Sequence, residues 1–397
     1  MRKNLYSSFA WVIVAVFMAG CGGGAGKPAG GASPGAVTQK DVQVMFRGGP
    51  ARTGVYSNAG LPEFHGLAWK FKTGKWWNKL SGGIFIYSTP AVMDGVAYFG
   101  AGDGNIYAVD IKTGAEKWRF VTGRDVSWMG RWVISSPSVL NGVVYIGAGD
   151  GKLYALNTDT GAVIWAFQTG GDVISSPAVE GDAVYFGSLD GKLYSVNIHT
   201  GKENWNLDTF GGVFTAPALD GGMIYIGNRS HDLVAVDKAT GKEKWRYRTK
   251  KDVDSTPAVA DGVVYFGSGD TGIYALDALT GKEKWKYKTT HGVYCSPTVG
   301  GGMVYTGSWD GNLYALDAVT GKEKWRFKTR YRVDSPPALV NGLLYFGSGD
   351  KFLYVVDAAT GQEKWKFETG EEVIASPVVL DGLVLAGSRD GYLYALR

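Results

Sequence analysis

The sequence predicts an all-β fold: an eight-bladed propeller of four-stranded antiparallel blades, its ring closed by the N-terminal strand. Three observations carry this expectation. A segment of the form SSPAVxxGxVYFGSxDGxLYALDxxTGxEKWxF recurs about every 40 residues, with its proline at Pro90, Pro137, Pro177, Pro217, Pro257, Pro297, Pro337 and Pro377. Each copy holds four strand-like runs and leaves no room for a helix. The copies are also offset. Trp118, Trp165, Trp205, Trp245, Trp285, Trp325 and Trp365 each follow a proline, whereas Trp69 precedes the first one. The last copy stops at Arg397, after GYLYALR, before its fourth strand. A unit divided between the two ends suits a closed ring and has no use in a linear stack, and neither end carries a polar capping repeat.

The elements follow in chain order. Residues 1–20 read as an export signal: Arg2 and Lys3 precede an apolar stretch from Leu5 to Met18, and small residues lead into Cys21. The pattern resembles a bacterial lipoprotein signal, which implies lipidation at Cys21. An ordinary secretory signal or a single membrane anchor is the other reading, but the stretch is short for a bilayer span and is followed by glycine. Residues 21–40, rich in Gly, Ala and Pro, read as a flexible tether. Residues 41–397 form the propeller. In the copy from Val173 to Leu207, ISSPAVE is a first strand, AVYFGS a second, KLYSVN a third and ENWNL a fourth. Gly181-Asp182, Asp190-Gly191 and Thr200-Gly201 mark the turns between them.

Bulk properties exclude several classes. A formal charge of +4 over 397 residues, with both signs interspersed in every copy, gives no basic stripe for nucleic acid. The 60 glycines recur at fixed turns without a collagen period. The four histidines, His65, His199, His231 and His291, lack zinc-like spacing. Beyond Cys21 the only cysteine is Cys295, at a position that Ser, Thr or Ala fills in the other copies. It reads as a small buried strand residue. No phosphate loop or nucleophile triad is present.

The recurring tryptophans read as structural docking residues. In Ala108-x-Asp110-x-x-Thr113-Gly114-x-x-x-Trp118 the glycine offers a flat peptide for an indole, whose N–H needs a carbonyl acceptor. This motif resembles the tryptophan-docking signature of the PQQ-like propeller repeat. That family includes eight-bladed quinoprotein dehydrogenases and the BamB-type lipoproteins of outer-membrane assembly. FRGGPARTG, Phe46 to Gly54, resembles the lead-in of many bacterial members. The dehydrogenase branch would imply pyrroloquinoline quinone over calcium, an aspartate base, an adjacent cysteine pair and long inserts. This chain has no such pair, and its proline spacing is 40 in every interval from Pro137 to Pro377. The expectation is therefore a non-enzymatic, lipid-anchored scaffold without cofactor or metal, in the bacterial envelope. Its partner would be an envelope protein, with the barrel-assembly machinery as the leading version. A quinone- and calcium-dependent dehydrogenase, or an envelope propeller that binds a small ligand or ion, is the alternative.

Candidate sites are sought where the copies disagree. Pro90 to Pro137 spans 47 residues, and Trp69 to Pro90 spans 21 against 12 from Trp165 to Pro177. These two insertions carry Trp76 and Trp77, then Arg124, Trp128, Arg131 and Trp132. Aromatic and arginine side chains in neighbouring loops fit a contact surface, or else a local lid. Trp309 replaces a glycine in a second-to-third strand turn on the same rim, and Arg229, His231 and Arg389 vary similar turns. Three residues before each proline the copies read Tyr87, Ile134, Ile174, Phe214, Asp254, Tyr294, Asp334 and Ile374. Pointing inward, Asp254, Tyr294 and Asp334 would form an acidic channel patch for a cation or polar ligand. Solvated aspartates at the channel mouth are the other account.

Overall fold

The structure is a computed structural model that describes residues 46–56, 60–74, 85–123, 132–380 and 382–397. Among these residues the strands form eight small sheets. Blade three shows the common plan, with antiparallel strands Ala178–Glu180, Ala183–Gly187, Lys192–Asn197 and Glu203–Asp208. Blade one begins at Ala91, and blades two to eight follow in chain order. β-Branched and aromatic residues from adjacent sheets interlock between blades. Tyr145, Leu153 and Ala155 of blade two, for example, pack with Val184, Phe186 and Tyr194 of blade three.

Ring closure matches the offset in the sequence. Leu67–Lys72 pairs antiparallel with Tyr392–Leu396, with Trp69 opposite Ala395 and Lys72 opposite Tyr392. His65 and Gly66 donate backbone N–H groups to the Arg397 carbonyl at 2.6 and 2.9 Å, and Arg397 returns one to Gly66.

Three repeated devices join the blades. The indole of each docking tryptophan lies against the next blade: Trp118 Nε1 donates to the Thr158 carbonyl at 2.7 Å and Trp285 Nε1 to Ala318 at 2.9 Å. Trp69, Trp165, Trp245 and Trp325 donate in the same way to Ile111, Ile198, Ala278 and Ala358. Trp205 packs on Gly241. Trp365 meets the N-terminal segment instead, donating to Leu61 and stacking on Phe64 at 5.2 Å.

The second device is the aspartate of the turn between the second and third strands. Asp190 accepts from Tyr194 of its own blade at 2.7 Å and from the Gly170 N–H of the preceding blade at 2.8 Å. Asp103, Asp150, Asp270, Asp310, Asp350 and Asp390 repeat the pattern. Blade four departs from it, carrying Ser230 and Val234 at these positions. There a fully buried Asp232 binds Arg246 and Arg248, each at 2.8 Å.

The third device is a belt of buried hydroxyls just before the prolines. Ser176 Oγ accepts from the Ser136 N–H at 2.9 Å, and Thr256 Oγ1 from the Ala216 N–H at 3.0 Å. Cys295 sits buried in the neighbouring layer with its thiol directed at the Ser335 carbonyl, and burial pushes that thiol up to about 12.

Candidate functional site

The inner strands run from a mouth, near the residues before each proline, to a base beyond it. At the mouth, the second-to-third strand turn of one blade reaches the lead-in of the next. Arg229 pairs with Asp254 at 3.2 Å, and its guanidinium carbon lies 3.4 Å from the Phe214 ring centroid. Trp309 donates its indole N–H to Asp334 and packs on Tyr294 at 4.5 Å. Arg332 lies 2.9 Å from Asp334 and 3.0 Å from Glu372, which also binds Arg389 at 2.8 Å. Arg389 reaches over Tyr87, Tyr87 stacks on Phe85 at 4.4 Å, and Phe85 meets the edge of Trp132 at 5.1 Å. An arc of aromatic rings and ion pairs thus follows the mouth from blade four round to the start of blade two, one group at Phe214, Arg229 and Asp254 and a second, connected one from Tyr294 to Trp132.

Its electrostatics are balanced rather than acidic. Each carboxylate of the arc faces an arginine, so Asp254, Tyr294 and Asp334 do not form the bare acidic patch the sequence suggested. Burial nevertheless dominates both aspartates. It raises Asp254 against the pull of Arg229, and holds Asp334 up to about 6 despite Arg332 and the Trp309 N–H. Trp309 is 45% exposed and Tyr331 53%, with the Arg332 guanidinium 5.4 Å from one ring and 5.7 Å from the other. Arg332 Nε, though close to Asp334, lacks an aligned acceptor.

The base is occupied by the chain itself. Phe46 to Tyr56 forms a strap along the inner strands of blades four to seven. The carbonyls of Pro50, Ala51, Thr53 and Gly54 accept from Leu219, Val259, Val299 and Leu339 at 2.8 to 3.0 Å. Val55–Tyr56 then continues as a parallel strand beside Ala338–Val340. Arg47 and Arg52 are fully buried and point at the prolyl carbonyls. Arg52 donates to Pro217 at 3.1 Å, Pro177 at 2.7 Å and Phe46 at 2.6 Å, while Arg47 donates to Pro297 and, at 3.3 Å, to Thr298 Oγ1. Both adopt left-handed backbone, φ 61° and 56°. Gly54 is required here: its φ is 74°, and a Cβ would lie 2.5 Å from Thr298 Oγ1.

Sequence reasoning found the mouth aspartates, Trp309, Arg229 and Arg389 but missed Arg332 and Glu372, and it missed the strap. FRGGPARTG, two arginines among three glycines, was the available signal. Trp76, Trp77, Arg124, Trp128 and Arg131 lie outside the described residues, as does Cys21. Trp132 is half-buried at the arc's end. No group of three or more His, Cys, Asp or Glu side chains among the described residues is placed to hold a metal.

Fold and inter-blade docking define an eight-bladed propeller of the PQQ-like repeat class. The chain belongs to the family described as outer membrane protein assembly factor BamB, which matches residues 55–226, 208–294 and 288–397. BamB from Moraxella catarrhalis is similar in structure: TM-score 0.67, 19% identity, covering 83% of this chain and 99% of that one. The quinohemoprotein alcohol dehydrogenase of Comamonas testosteroni superposes with TM-score 0.72 at 18% identity, covering 89% of this chain and 80% of that one. At these identities the likeness is one of fold. A curated relative, lupanine 17-hydroxylase [cytochrome c] of a Pseudomonas species, is 38% identical over 61 residues, 14% of this chain and 9% of its own length.

These relatives correct the expectation of a non-enzymatic protein. Missing cysteine pairs and uniform spacing favoured a scaffold over the dehydrogenase alternative, yet a dehydrogenase shares the blade architecture over most of the chain, and a curated sequence relative is a hydroxylase. The repeat serves oxidoreductases and assembly factors alike, so uniform blades exclude neither.

Proposed function

We propose that this chain is an exported envelope propeller that binds a planar small molecule at the mouth arc. A quinone of the kind named in its dehydrogenase relative is the class to test first. The observation that carries this reading is the exposed Trp309–Arg332–Tyr331 face, which offers ring surface and guanidinium donors to a conjugated ligand with carbonyl or carboxylate groups. A calcium companion does not fit. Asp254, Asp334 and Glu372 are each committed to an arginine, and no metal-holding group accompanies them among the described residues. No reaction step is therefore assigned to the arc.

Titration with pyrroloquinoline quinone, followed by protein fluorescence with and without calcium, tests the binding. Saturable binding that weakens about tenfold in Trp309→Ala is expected, the size of one lost stacking contact with its buried area. Absence of saturation at millimolar quinone would overturn it. Dye-linked alcohol oxidation in the same samples reports on turnover.

A second reading has its own support. The family match spans residues 55–397, and the BamB of M. catarrhalis is covered almost completely. An envelope partner of the barrel-assembly type would then dock on the insertion loops bearing Trp76, Trp77, Arg124, Trp128, Arg131 and Trp132, with Cys21 carrying the lipid. Pulldown from solubilised membranes distinguishes this reading. Trp76→Ala with Trp128→Ala should lose the partner and keep quinone binding.

A further inference from the structure

We propose, resting on the planar-ligand reading of the mouth arc, that the ligand binds as an aromatic carboxylate on Arg332 in exchange for one proton that Asp334 takes up from solvent. Arg332 stands between two acids, with Nε 2.9 Å from Asp334 and Nη2 3.0 Å from Glu372. Both contacts lie on the side edge of the guanidinium. Nη1 makes no hydrogen bond to a described residue, and a quarter of the side chain is exposed. The end edge, Nη1 with the second N–H of Nη2, is therefore left for the two-pronged contact that a carboxylate makes with arginine. The exposed rings of Trp309 and Tyr331 lie 5.4 and 5.7 Å from the same guanidinium, so the ring and the carboxylate of one planar ligand meet their partners together.

A third carboxylate brings one negative charge too many for the two arginines of this partly buried group. Glu372 is held by both of them, Arg332 at 3.0 Å and Arg389 at 2.8 Å. Asp334 has only Arg332, whose Nε is close but not aligned to donate to it. Its other partner is the uncharged Trp309 indole, which donates to Oδ1. Protonated on Oδ2, Asp334 keeps that bond and gains an O–H to offer, so it is the acid that gives up its charge. Burial already lifts it to about 6. The charged groups around it are Arg332 on its own segment, Glu372 on the lead-in of blade eight and Arg389 on the turn of that blade. The Tyr87 and Tyr294 phenols and the Cys295 thiol also feel its charge, but burial raises all three and they stay neutral around pH 7.

The test titrates the full chain with anthraquinone-2-carboxylate and with the uncharged anthraquinone-2-carboxamide, followed by protein fluorescence at pH 6.5 and 7.5. Carboxylate affinity should fall about tenfold over that interval, the slope of one linked proton, while carboxamide affinity changes less than about twofold. Asp334→Asn should bind the carboxylate equally at both pH values. Calorimetry of the wild type in two buffers of different ionisation enthalpy needs no variant, and should count about one proton taken up per carboxylate bound at pH 7.5. Carboxylate binding without pH dependence or proton uptake, or with the same pH dependence in Asp334→Asn, would overturn the exchange and leave planar-ligand binding standing. Saturation by neither probe would overturn both.

Discussion

Gly281 and Gly262 lie in the same blade and share a backbone conformation, φ 70° and 71°, but differ in surroundings. A Cβ on Gly281 would sit 2.7 Å from both Cδ2 and Cε3 of Trp245, whereas a Cβ on Gly262 meets nothing within 4 Å. Alanine at either site carries the left-handed penalty of roughly 1–2 kcal/mol, partly offset by roughly 0.4–1 kcal/mol of unfolded-state entropy. Gly262→Ala should therefore cost about 1 kcal/mol. Gly281→Ala must also displace the indole, adding about 1–3 kcal/mol of overpacking. It also strains the 3.0 Å bond from Trp245 Nε1 to the Ala278 carbonyl, worth about 1 kcal/mol. A total of about 2–5 kcal/mol follows from these contributions. Urea denaturation, monitored by tryptophan emission and by circular dichroism, measures both variants. Costs equal within about 0.5 kcal/mol, the scatter of ordinary surface substitutions, would refute the docking account.

Cys295 should resist a thiol reagent in the native protein at pH 8 and react fully in denaturant, because burial keeps it a neutral thiol. Rapid native labelling would refute this. For Asp334, the folded-state value of about 6 lies above the model-compound value of 3.8, so the native state holds its proton more tightly than the unfolded chain. Its stabilising effect is complete below about pH 4 and is lost as pH rises through about 6, a loss of about 1–3 kcal/mol. Asp334→Asn should flatten that part of the stability–pH profile, and an unchanged profile would show that Asp334 ionises normally.

Much of the fold was legible because one pattern is written eight times. Period-two runs, Asp-Gly and Thr-Gly turns, and the displaced Trp69 together specify strand number, blade number and closure. The inter-blade bonds were less visible. Asp190 read as a turn residue, and it does bond its own turn, but its second oxygen also joins Tyr194 to the neighbouring blade. That bond depends on which rim faces which, and a single copy does not carry that information. The mouth was legible only as a list of disagreements. Asp254 and Asp334 stood out as acids, while Arg229 and Arg332 are their partners because a turn of one blade leans on the lead-in of the next or because two residues alternate on one segment. The strap stood out only as the motif FRGGPARTG, and its role was hidden for a different reason: it belongs to no repeat, and its arginines gain meaning only once the inner strands surround them.

The division between scaffold and site follows the hydrogen bonds. Docking indoles, turn aspartates and the hydroxyl belt bind backbone groups of the adjoining blade, so changing any of them disturbs ring assembly. Residues of the mouth arc bind mostly one another: Arg229 to Asp254, Trp309 to Asp334, and Glu372 to Arg332 and Arg389. Such pairs can be exchanged together without touching the indole, aspartate and hydroxyl bonds that the blades repeat. One scaffold can thus present a different mouth in each protein that uses it. This physical freedom explains why the shared architecture leaves oxidoreductase and assembly-factor chemistry undivided, and why the Trp309 and Arg332 neighbourhood is the place where we propose that this chain's own specificity lies.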